Sequence, residues 1–523
     1  MSLVKDFLYT HLSLRGEKTF LKENTKECTF IDTASNILDY ADALLNLGIK
    51  CGERIVLILP NSSEFVFFYY ASALTGIISV PVDTRYGISE ISQIIDDCDP
   101  KAIFCFSSYK KKNYKVILDE IYKNREQKDQ IIFLDETPLN QRNKYPFQNE
   151  KSNILRRLDE YKPLSIDEPF VILYTSGSTG KPKGVLLNQR NLIKNSLAVN
   201  SRLKITDKDI FLLIVPFSHA FGSSVLLNNA FTAGSTIIIL DVFDPEESLS
   251  LIKDENVTLL YAVPTQVVQL CEEMEKSVIK KTSLRTGYIS GASCTPELIE
   301  LLEKKFGCKA CIAYGMTEAS CISISSPDDD LYVRSKSAGK AVEGTMVKIV
   351  DDEKNKVKNG MSGEIAIKGE SVMKAYYRNK EIEDWFYTGD IGVIDDEGNL
   401  KILGRKKDLI IRGGFNIFPG EIERHLMNHD FVEIAAVFGI EDKTFGEKIV
   451  ACVKTKEKSK VSGEELSNFC KQFLASYKIP DYIIFVDSFP LTASAKIKKE
   501  ELKSLVIKEL SNERKSLTIF ENF

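Results

Sequence analysis

Helix-like and strand-like patterns of apolar residues alternate along the first part of the chain. Between Thr29 and Phe104, the segment SNILDYADALLNLGI has helical periodicity, and the short apolar run ERIVLILP follows it. The uncharged stretch from Phe65 to Val82 is nearly long enough to cross a bilayer. Because Gly76 and Pro81 interrupt it, we interpret this stretch as a buried helix followed by the strand IISV, without stable membrane insertion.

The alternation resumes after Pro169. The strand FVILY, a helix beginning near Asn188, and the strands FLLIV, STIIIL and TLLYAV follow one another. Strands that are apolar throughout and alternate with helices are typical of a parallel sheet covered on both faces. The pattern therefore predicts an α/β fold.

A shorter α/β segment occupies the C-terminal part of the chain. The peptide VIDDEGNLKILGR near Asp395 predicts a hairpin, and EIERHLMNH, IAAVFGI, IVACVKT and YIIFVDS then predict one helix and three strands. We predict a domain boundary close to Arg405. A large N-terminal domain of layered α/β subdomains would span residues 1–404, and a small α/β domain would span residues 405–523.

Composition narrows the class of protein. The 523 residues, 43% of them apolar, are too many for one compact core and predict two or three folded units. A formal net charge of −5 provides no basic field for nucleic acid or an anionic membrane, and we interpret the lysines at 110–112 as solvated surface. The eleven cysteines are scattered, and the N-terminus lacks a continuous apolar signal region. Both features favour the reducing cytoplasm, and we interpret Cys308 and Cys311 as buried strand cysteines rather than a redox or zinc pair.

The segment Tyr174–Gly184 (YTSGSTGKPKG) has the chemistry of a polyphosphate site. Its hydroxyl groups are hydrogen-bond donors, its glycines let backbone N–H groups approach an anion, and Pro182 separates two lysines. The glycine spacing matches neither the P-loop nor the dinucleotide-binding fingerprint, so it predicts neither a kinase nor a dehydrogenase. A flexible linker would explain the glycines and serines but not the paired lysines.

TSGSTGKPKG resembles the signature of the adenylate-forming superfamily, which includes acyl-CoA synthetases, adenylation domains of nonribosomal peptide synthetases and firefly luciferase. Other motifs of that superfamily follow in order across nearly the whole chain. Its members activate a carboxylic acid with ATP and Mg²⁺, release pyrophosphate, and pass the acyl-adenylate to a thiol. The first step joins two anions, so it needs cations and oriented donors more than an acid or a base.

The resemblance assigns roles to particular residues of the large domain. In Tyr314–Glu318 (YGMTE), Tyr314 would stack on adenine, Thr317 would contact phosphate and Glu318 would hold Mg²⁺. Asp390 of YTGD would accept hydrogen bonds from the ribose hydroxyls, and Arg405 would reach the ribose or the phosphates. The residues assigned to ATP are Thr175, Ser176, Gly177, Ser178, Thr179, Gly180, Lys181, Lys183, Gly291, Ala292, Ser293, Tyr314, Gly315, Thr317, Asp390, Arg405 and Lys496.

The segment Pro216–Gly222 (PFSHAFG) matches the part of the family that gates the acyl pocket, and we assign His219, Ala220, Phe221 and Gly315 to that pocket. Amino-acid adenylation domains resemble one another in having an aspartate at the position of Ala220. An ammonium group would remain unpaired here, so the sequence disfavours an amino-acid substrate. We do not assign His219 as a general base, because a carboxylate nucleophile needs none.

The C-terminal segment supplies the mobile parts that the resemblance implies. Lys496 in PLTASAK matches the lysine that grips the carboxylate and the α-phosphate, although Ala495 replaces the family's glycine. Lys407 matches the hinge about which the small domain swings, and Gly413, Gly414 and Asn416 would line the tunnel for the pantetheine arm. The candidate catalytic residues are Lys496, Glu318, Thr175 and His219, with Glu318 and Thr175 as candidate Mg²⁺ ligands.

The sequence therefore predicts an AMP-forming ligase that makes an acyl-CoA from a small carboxylic acid, ATP and coenzyme A. A free-standing adenylation enzyme that loads the phosphopantetheine of an acyl carrier protein is the alternative. A luciferase-like oxygenase and a non-catalytic nucleotide-binding protein are more remote hypotheses. Ala220 and the apolar run Val225–Leu227 predict an acid with an uncharged acyl or aryl chain.

Overall fold

The structure is a computed structural model that describes residues 3–123, 125, 130–136, 151–162, 164–175, 182–279, 281–292, 294–456, 461–490, 497–511 and 518–521. The chain divides into two compact units. The first consists of Met1–Val347 and Ile367–Phe386, and the second of Lys348–Ala366 and Tyr387–Phe523. The domain boundary predicted at Arg405 stays a prediction.

The helices and strands follow one another in the alternation that the sequence predicts. The helices are α1 (Leu3–Arg15), α2 (Phe30–Asn46), α3 (Ser63–Thr75), α4 (Ile88–Cys98), α5 (Tyr114–Tyr122), α6 (Lys151–Glu160), α7 (Gln189–Leu203), α8 (Asn228–Ala233), α9 (Pro245–Asp254), α10 (Pro264–Lys276), α11 (Pro296–Phe306), α12 (Leu331–Lys336), α13 (Pro419–Met427), α14 (Gly463–Phe473) and α15 (Lys499–Ser511).

The strands are β1 (Thr19–Glu23), β2 (Lys26–Thr29), β3 (Arg54–Ile58), β4 (Ile78–Pro81), β5 (Ala102–Cys105), β6 (Ser108–Tyr109), β7 (Lys112–Asn113), β8 (Gln130–Phe133), β9 (Pro169–Thr175), β10 (Lys183–Asn188), β11 (Ile210–Leu213), β12 (Thr236–Ile239), β13 (Leu259–Ala262), β14 (Thr286–Ile289), β15 (Lys309–Met316), β16 (Ser320–Ile324), β17 (Lys340–Ala341), β18 (Thr345–Val350), β19 (Gly363–Gly369), β20 (Phe386–Ile394), β21 (Leu400–Arg405), β22 (Ile410–Arg412), β23 (Phe415–Ile417), β24 (Val432–Asp442), β25 (Gly446–Thr455), β26 (Tyr482–Phe485) and β27 (Thr518–Glu521).

Two mainly parallel sheets form the first unit. One has the order β17-β16-β15-β14-β13-β11-β12-β1-β2 and the other the order β10-β9-β4-β3-β5-β8. The outer strands β2, β16, β17 and β10 pair antiparallel with their neighbours, whereas the central strands pair parallel. The predicted α/β class with parallel sheets is therefore confirmed, with antiparallel strands added at the edges.

Apolar layers cover both faces of these sheets. One core contains Leu213 and Ile237 of the larger sheet together with Leu57 and Phe104 of the smaller sheet, so both sheets contribute to the same core. Alternate residues of the same strands, such as Leu212, enter separate cores on the opposite faces. Burial on both faces explains why these strands are apolar throughout.

The uncharged stretch at Phe65 forms α3 and β4 inside this core, as predicted. The Ser62 hydroxyl caps α3 at its N-terminus, and Gly76 ends the helix in the left-handed conformation with φ +72°. Among the residues that the structure describes, no helix is long and apolar enough to cross a membrane.

Cys308 and Cys311 are buried, and Cys311 lies in β15. Burial raises the pKa of each thiol to about 12. The prediction that both cysteines are buried is therefore confirmed, and only Cys311 lies in a strand. All eleven cysteines are free thiols.

The second unit has its own α/β core. Its larger sheet has the order β23-β22-β25-β26-β27, with β24 paired to β25. Ile422 of α13 and Leu466 of α14 belong to the core on one face, and Leu502 and Val506 of α15 belong to the core on the other. The four-stranded sheet β18-β19-β20-β21 includes the hairpin predicted around Asp395.

Candidate active site

The predicted phosphate segment is bounded by two paired strands at the edge of the smaller sheet. Strand β9 ends at Thr175 and β10 begins at Lys183, and these two residues are direct antiparallel partners. The Thr175 hydroxyl also donates a hydrogen bond to the Lys183 carbonyl at 3.4 Å. The two ends of the segment are therefore joined, and both predicted ATP residues lie there. The predicted residues Ser176, Gly177, Ser178, Thr179, Gly180 and Lys181 lie outside the described residues.

A second segment of the chain, residues 372–377, crosses the outer edge of β10. The Tyr377 N–H donates to the Gly184 carbonyl at 2.7 Å, and Leu186 donates to Ala375 at 3.3 Å. Gly184 is necessary at this crossing, because a Cβ atom there would lie 2.8 Å from Ile172 Cγ2 and 3.2 Å from the Tyr377 Cβ. We call residues 372–377 the crossing segment.

Glu318 lies in the short turn between β15 and β16 and is 7% exposed. The crossing segment holds it at two atoms. The Met373 N–H donates to the Glu318 carbonyl at 2.8 Å, and the Tyr376 hydroxyl donates to Glu318 Oε1 at 2.7 Å. Burial and the neighbouring Glu318 charge raise the pKa of Tyr376, so this tyrosine is a stable hydrogen-bond donor. The carboxylate is thus fixed beside the strand that carries Lys183.

The predicted adenine residues lie at the carboxyl ends of two neighbouring strands. Gly291 and Ala292 follow β14, and Tyr314 and Gly315 lie near the end of β15, which pairs parallel with β14. Gly291 has φ +91°, a conformation that favours glycine. Gly315 leaves no room for a side chain, because a Cβ atom there would lie 2.0 Å from the Ser320 carbonyl oxygen. The carboxyl edge of a parallel sheet is the usual ligand position in such folds. Ser293 lies outside the described residues.

His219 follows β11 at the same edge of the larger sheet. Its Nε2 atom lies 3.0 Å from Oδ2 of Asp83, which is 3% exposed. The Arg85 guanidinium donates two hydrogen bonds to Asp83, at 2.8 and 2.6 Å, and Ser218 donates a third at 3.2 Å. Burial opposes ionisation of Asp83, but the bonds from Arg85 and the neighbouring His219 ring outweigh it and hold the pKa of this carboxyl below its ordinary value. A buried aspartate therefore lies close to the predicted pocket residue.

Aromatic rings form a wall next to His219 and Ala220. The Phe221 ring centroid lies 5.1 Å from that of Tyr288 and 6.0 Å from that of Tyr261, and the two tyrosine rings are 4.9 Å apart. Phe221 begins a π-helix, Phe221–Leu227, whose other residues are buried. The surroundings of Ala220 are therefore apolar, and Tyr261 and Tyr288 join the predicted pocket residue Phe221.

In the second unit, the predicted ribose residues form an ion pair between a buried aspartate and an exposed arginine. Arg405 Nε lies 2.8 Å from Asp390 Oδ1, and the Asp390 side chain is 5% exposed. The two residues are direct antiparallel partners on β20 and β21. The turn of 3₁₀-helix Lys406–Asp408 follows and contains the predicted hinge residue Lys407, which is exposed.

The predicted tunnel residues lie on the β22–β23 hairpin of the same unit. Gly413 and Gly414 have φ +56° and +82° and form its turn, with open space where their side chains would be. Asn416 pairs with Ile411 and is exposed. A hairpin turn of two glycines, which have no Cβ atoms, is compatible with the predicted role in a narrow pantetheine tunnel. Lys496 lies outside the described residues.

Sequence reasoning missed Asp83 and Tyr376. Asp83 lies in the peptide VPVDTRYG, where a charged residue directly after an apolar strand was a usable signal. Tyr376 lies in KAYYRN, and no local pattern distinguishes it from its neighbours.

The first α/β unit has a strand end with a hydroxyl and a lysine, near a buried glutamate, and the second has a buried aspartate paired with an arginine. These features are those of the carboxylate-adenylating class of enzymes. The chain belongs to the AMP-binding enzyme family. The family's profile matches residues 9–377, and the profile of the AMP-binding enzyme C-terminal domain matches residues 421–496.

Known proteins agree with this assignment. The mitochondrial medium-chain acyl-CoA ligase ACSF2 of Mus musculus is 32% identical over 520 residues, covering 94% of this chain and 84% of the relative. ATP-bound MatB from Rhodopseudomonas palustris has a TM-score of 0.83 and 26% identity, covering 98% of this chain and 100% of MatB. The o-succinylbenzoate CoA synthetase MenE of Bacillus subtilis, solved with its acyl-adenylate OSB-AMP, has a TM-score of 0.82 and 29% identity. The match covers 97% of this chain and 98% of MenE. MenE has also been solved with ATP and a magnesium ion.

The predicted reaction class is therefore confirmed. The protein is an ATP-dependent, AMP-forming ligase of the acyl-CoA synthetase type, which converts a carboxylic acid into an acyl-adenylate and then into a thioester.

Proposed function

We propose that the protein is a magnesium-dependent acyl-CoA synthetase for medium-chain fatty acids, with coenzyme A as the acceptor. The observation that carries the choice of acid is the apolar wall around Ala220. Phe221, Tyr261 and Tyr288 contact one another there, and the buried residues Val225–Leu227 follow on the π-helix. An uncharged hydrocarbon chain is favoured against these rings, because its burial removes apolar surface from water. The medium-chain ligase among the relatives supports the same choice.

In the proposed first half-reaction, a carboxylate oxygen attacks the α-phosphorus of ATP, and the bond to the departing pyrophosphate breaks. The segment between Thr175 and Lys183 would bind the β- and γ-phosphates, and Lys496 would bridge the carboxylate and the α-phosphate. These groups act as positioned cations and donors, so they stabilise charge without transferring a proton.

The residues present fit a magnesium ion. Glu318 is buried, and one of its oxygens is engaged by Tyr376, which orients a hard oxygen ligand beside the phosphate strand. Thr175 is the second candidate ligand. Among the residues that the structure describes, no group of three or more His, Cys, Asp or Glu side chains could hold a metal. Magnesium ions are commonly bound by one or two carboxylates together with phosphate oxygens and water. Bound there, the ion would neutralise the phosphate charges.

In the proposed second half-reaction, the sulfur of coenzyme A attacks the acyl carbonyl carbon and AMP leaves. The proposed boundary at Arg405 and hinge at Lys407 would let residues 405–523 serve both steps, first through Lys496 and then through Gly413, Gly414 and Asn416. The local turn at Lys406–Asp408 and the side-chain-free hairpin turn support these roles.

The acid is tested by pyrophosphate release across a panel of acids. Burial of each added methylene group contributes about 0.8 kcal/mol of binding free energy. We therefore expect kcat/KM to rise by roughly fourfold per methylene from butyrate to octanoate, and then to level off. Benzoate, o-succinylbenzoate, malonate and amino acids are the comparison acids. A higher kcat/KM for any of these would contradict the proposed substrate class.

The acceptor and the catalytic lysine are tested separately. Enzyme, ATP and octanoate are incubated with coenzyme A or with a holo-acyl carrier protein, and we expect acyl-CoA to form. Acylation of the carrier protein alone would favour the alternative function. Lys496→Ala should lose acid-dependent pyrophosphate release and keep ATP binding, so full activity of this variant would overturn the proposed mechanism.

The cytoplasmic location remains a proposal. Eleven free thiols support a reducing compartment, and the mouse relative is mitochondrial.

A further inference from the structure

Tyr376 contacts two of the groups that the proposed function assigns to metal and phosphate binding. Its hydroxyl donates to Glu318 Oε1 at 2.7 Å, and Lys183 Nζ lies 5.5 Å from the centroid of its ring. One side chain thus lies against the candidate magnesium ligand and against a lysine of the phosphate segment.

The backbone fixes Tyr376 in this position. Tyr376 forms an antiparallel bridge with Val185, one residue after Gly184 on β10. On one side of it, Met373 donates to the Glu318 carbonyl, and on the other, Tyr377 donates to the Gly184 carbonyl. The crossing segment therefore ties the β15–β16 turn to the strand that leaves the phosphate segment, and Tyr376 lies between the two attachments.

We propose that Tyr376 is a positioning residue that orients the Glu318 carboxylate toward the magnesium ion and keeps Lys183 directed toward the departing pyrophosphate. This inference rests on the proposed function. The hydroxyl engages one oxygen of Glu318, which restricts the carboxylate to one orientation. The ring face attracts the Lys183 ammonium through a cation–π contact, which limits the number of positions the flexible lysine adopts.

Residues that hydrogen-bond to a metal ligand affect the affinity of the site for its metal. Removing such a hydrogen bond to a ligand typically lowers metal affinity by about 10- to 100-fold. A tyrosine that merely fills space would not produce a loss specific to the metal, because phenylalanine has the same ring and nearly the same volume.

The test measures metal affinity at equilibrium, independently of turnover. Mn²⁺ binding to the enzyme in complex with a non-hydrolysable ATP analogue is followed by electron paramagnetic resonance. We expect Tyr376→Phe to weaken Mn²⁺ binding by about tenfold, while affinity for the analogue without metal changes less than twofold. Tyr332→Phe is the matched control, because Tyr332 also carries a lysine over its ring, Lys336 at 5.1 Å, but is 68% exposed on the surface.

Two further variants separate orientation from a general loss of structure. Glu318→Gln keeps an oxygen that can accept from the Tyr376 hydroxyl, and adding Tyr376→Phe to it should change Mn²⁺ affinity less than twofold, because the hydroxyl acts through the carboxylate. Tyr376→Leu also removes the ring and should weaken pyrophosphate binding by about threefold beyond Tyr376→Phe, if a cation–π contact of about 0.5–1 kcal/mol is lost.

The outcomes separate this inference from the proposed function. Wild-type Mn²⁺ affinity in Tyr376→Phe, or equal losses in the presence and absence of Glu318→Gln, would overturn the positioning role and leave the proposed function intact. If the wild-type enzyme with the analogue bound no Mn²⁺, the proposed metal site itself would be wrong.

Discussion

Arg405 Nε lies 2.8 Å from Asp390 Oδ1 across two paired strands, and the pair leaves the aspartate only 5% exposed. The guanidinium of Arg405 engages one carboxylate oxygen of Asp390 and so restricts the orientation of that side chain. Asp390 is the candidate ribose acceptor.

We predict that Asp390→Ala weakens ATP binding by roughly tenfold to hundredfold, because hydrogen bonds to a charged acceptor contribute about 1.5–3 kcal/mol. KM for ATP and for 2′-deoxy-ATP should become similar in the variant, since the candidate ribose acceptor is gone. Asp352→Ala is the control, because Asp352 is 86% exposed and pairs with Lys406. An unchanged preference for ATP over 2′-deoxy-ATP in Asp390→Ala would contradict the ribose role.

We predict that Asp83→Asn raises KM for the acid and leaves KM for ATP unchanged. The Asp83 carboxylate lies 3.0 Å from His219 and accepts hydrogen bonds from Arg85 and Ser218. The asparagine side chain has no negative charge to attract these partners. A change of about 1–3 kcal/mol in these contacts corresponds to roughly a fivefold to hundredfold rise in KM if His219 lines the acyl pocket. Steady-state kinetics with octanoate measures it. Asp241→Asn is the control, because Asp241 is 48% exposed and also accepts a hydrogen bond from a side chain, the Tyr109 hydroxyl.

We predict that Gly315→Ala destabilises the first unit and abolishes adenylation. A Cβ atom there would lie 2.0 Å from the Ser320 carbonyl, so β15 and β16 would have to separate. Overpacking of this kind costs about 1–3 kcal/mol. Gly87→Ala is the control, because its Cβ would have 3.8 Å to its nearest neighbour. A variant with a wild-type melting temperature would show that the strands accommodate the methyl group.

The elements with strong local patterns were predictable from the sequence. The helix expected near Asn188 begins at Gln189, and Asn188 caps it by accepting from the Asn191 N–H at 2.8 Å. Strand β9 was expected because Phe170–Leu173 is uniformly apolar. Such periodicity and capping depend on residues only a few positions apart, so a single sequence contains them.

The contacts between distant segments were not predictable. Strand β10 begins within the phosphate motif, and its crossing by residues 372–377 depends on hydrogen bonds such as that from Tyr377 to Gly184. The bond from Tyr376 to Glu318 joins residues 58 positions apart, and that from Ser218 to Asp83 joins residues 135 apart. Such pairings follow from the packing of the sheets, which no local pattern encodes. The motifs therefore identified the candidate ligands, whereas the residues that orient them required the structure.

His11 provides a prediction about pH and stability. It is 1% exposed, its Nε2 lies 2.6 Å from the Phe231 carbonyl, and Arg15 Nη1 lies 3.1 Å from its Nδ1. Nε2–H can donate to the carbonyl while Nδ1 accepts from Arg15, which suits the neutral ring. Burial, together with the Arg15 charge, lowers the pKa of His11 from 6.5 to about 4.

Between pH 6.5 and about 4, the unfolded chain binds a proton that the folded protein does not. The free energy of unfolding therefore falls as the pH falls, by about 2 kcal/mol between pH 7.5 and pH 5 from this residue. The only tryptophan, Trp385, lies in the first unit, so its fluorescence during urea unfolding reports on the unit that contains His11. His11→Gln, which keeps a donor and an acceptor, should lose this part of the pH dependence, whereas His429→Gln in the second unit should keep it. If His11→Gln lost as much stability as the wild type between the two pH values, the acid sensitivity would have to arise from other groups.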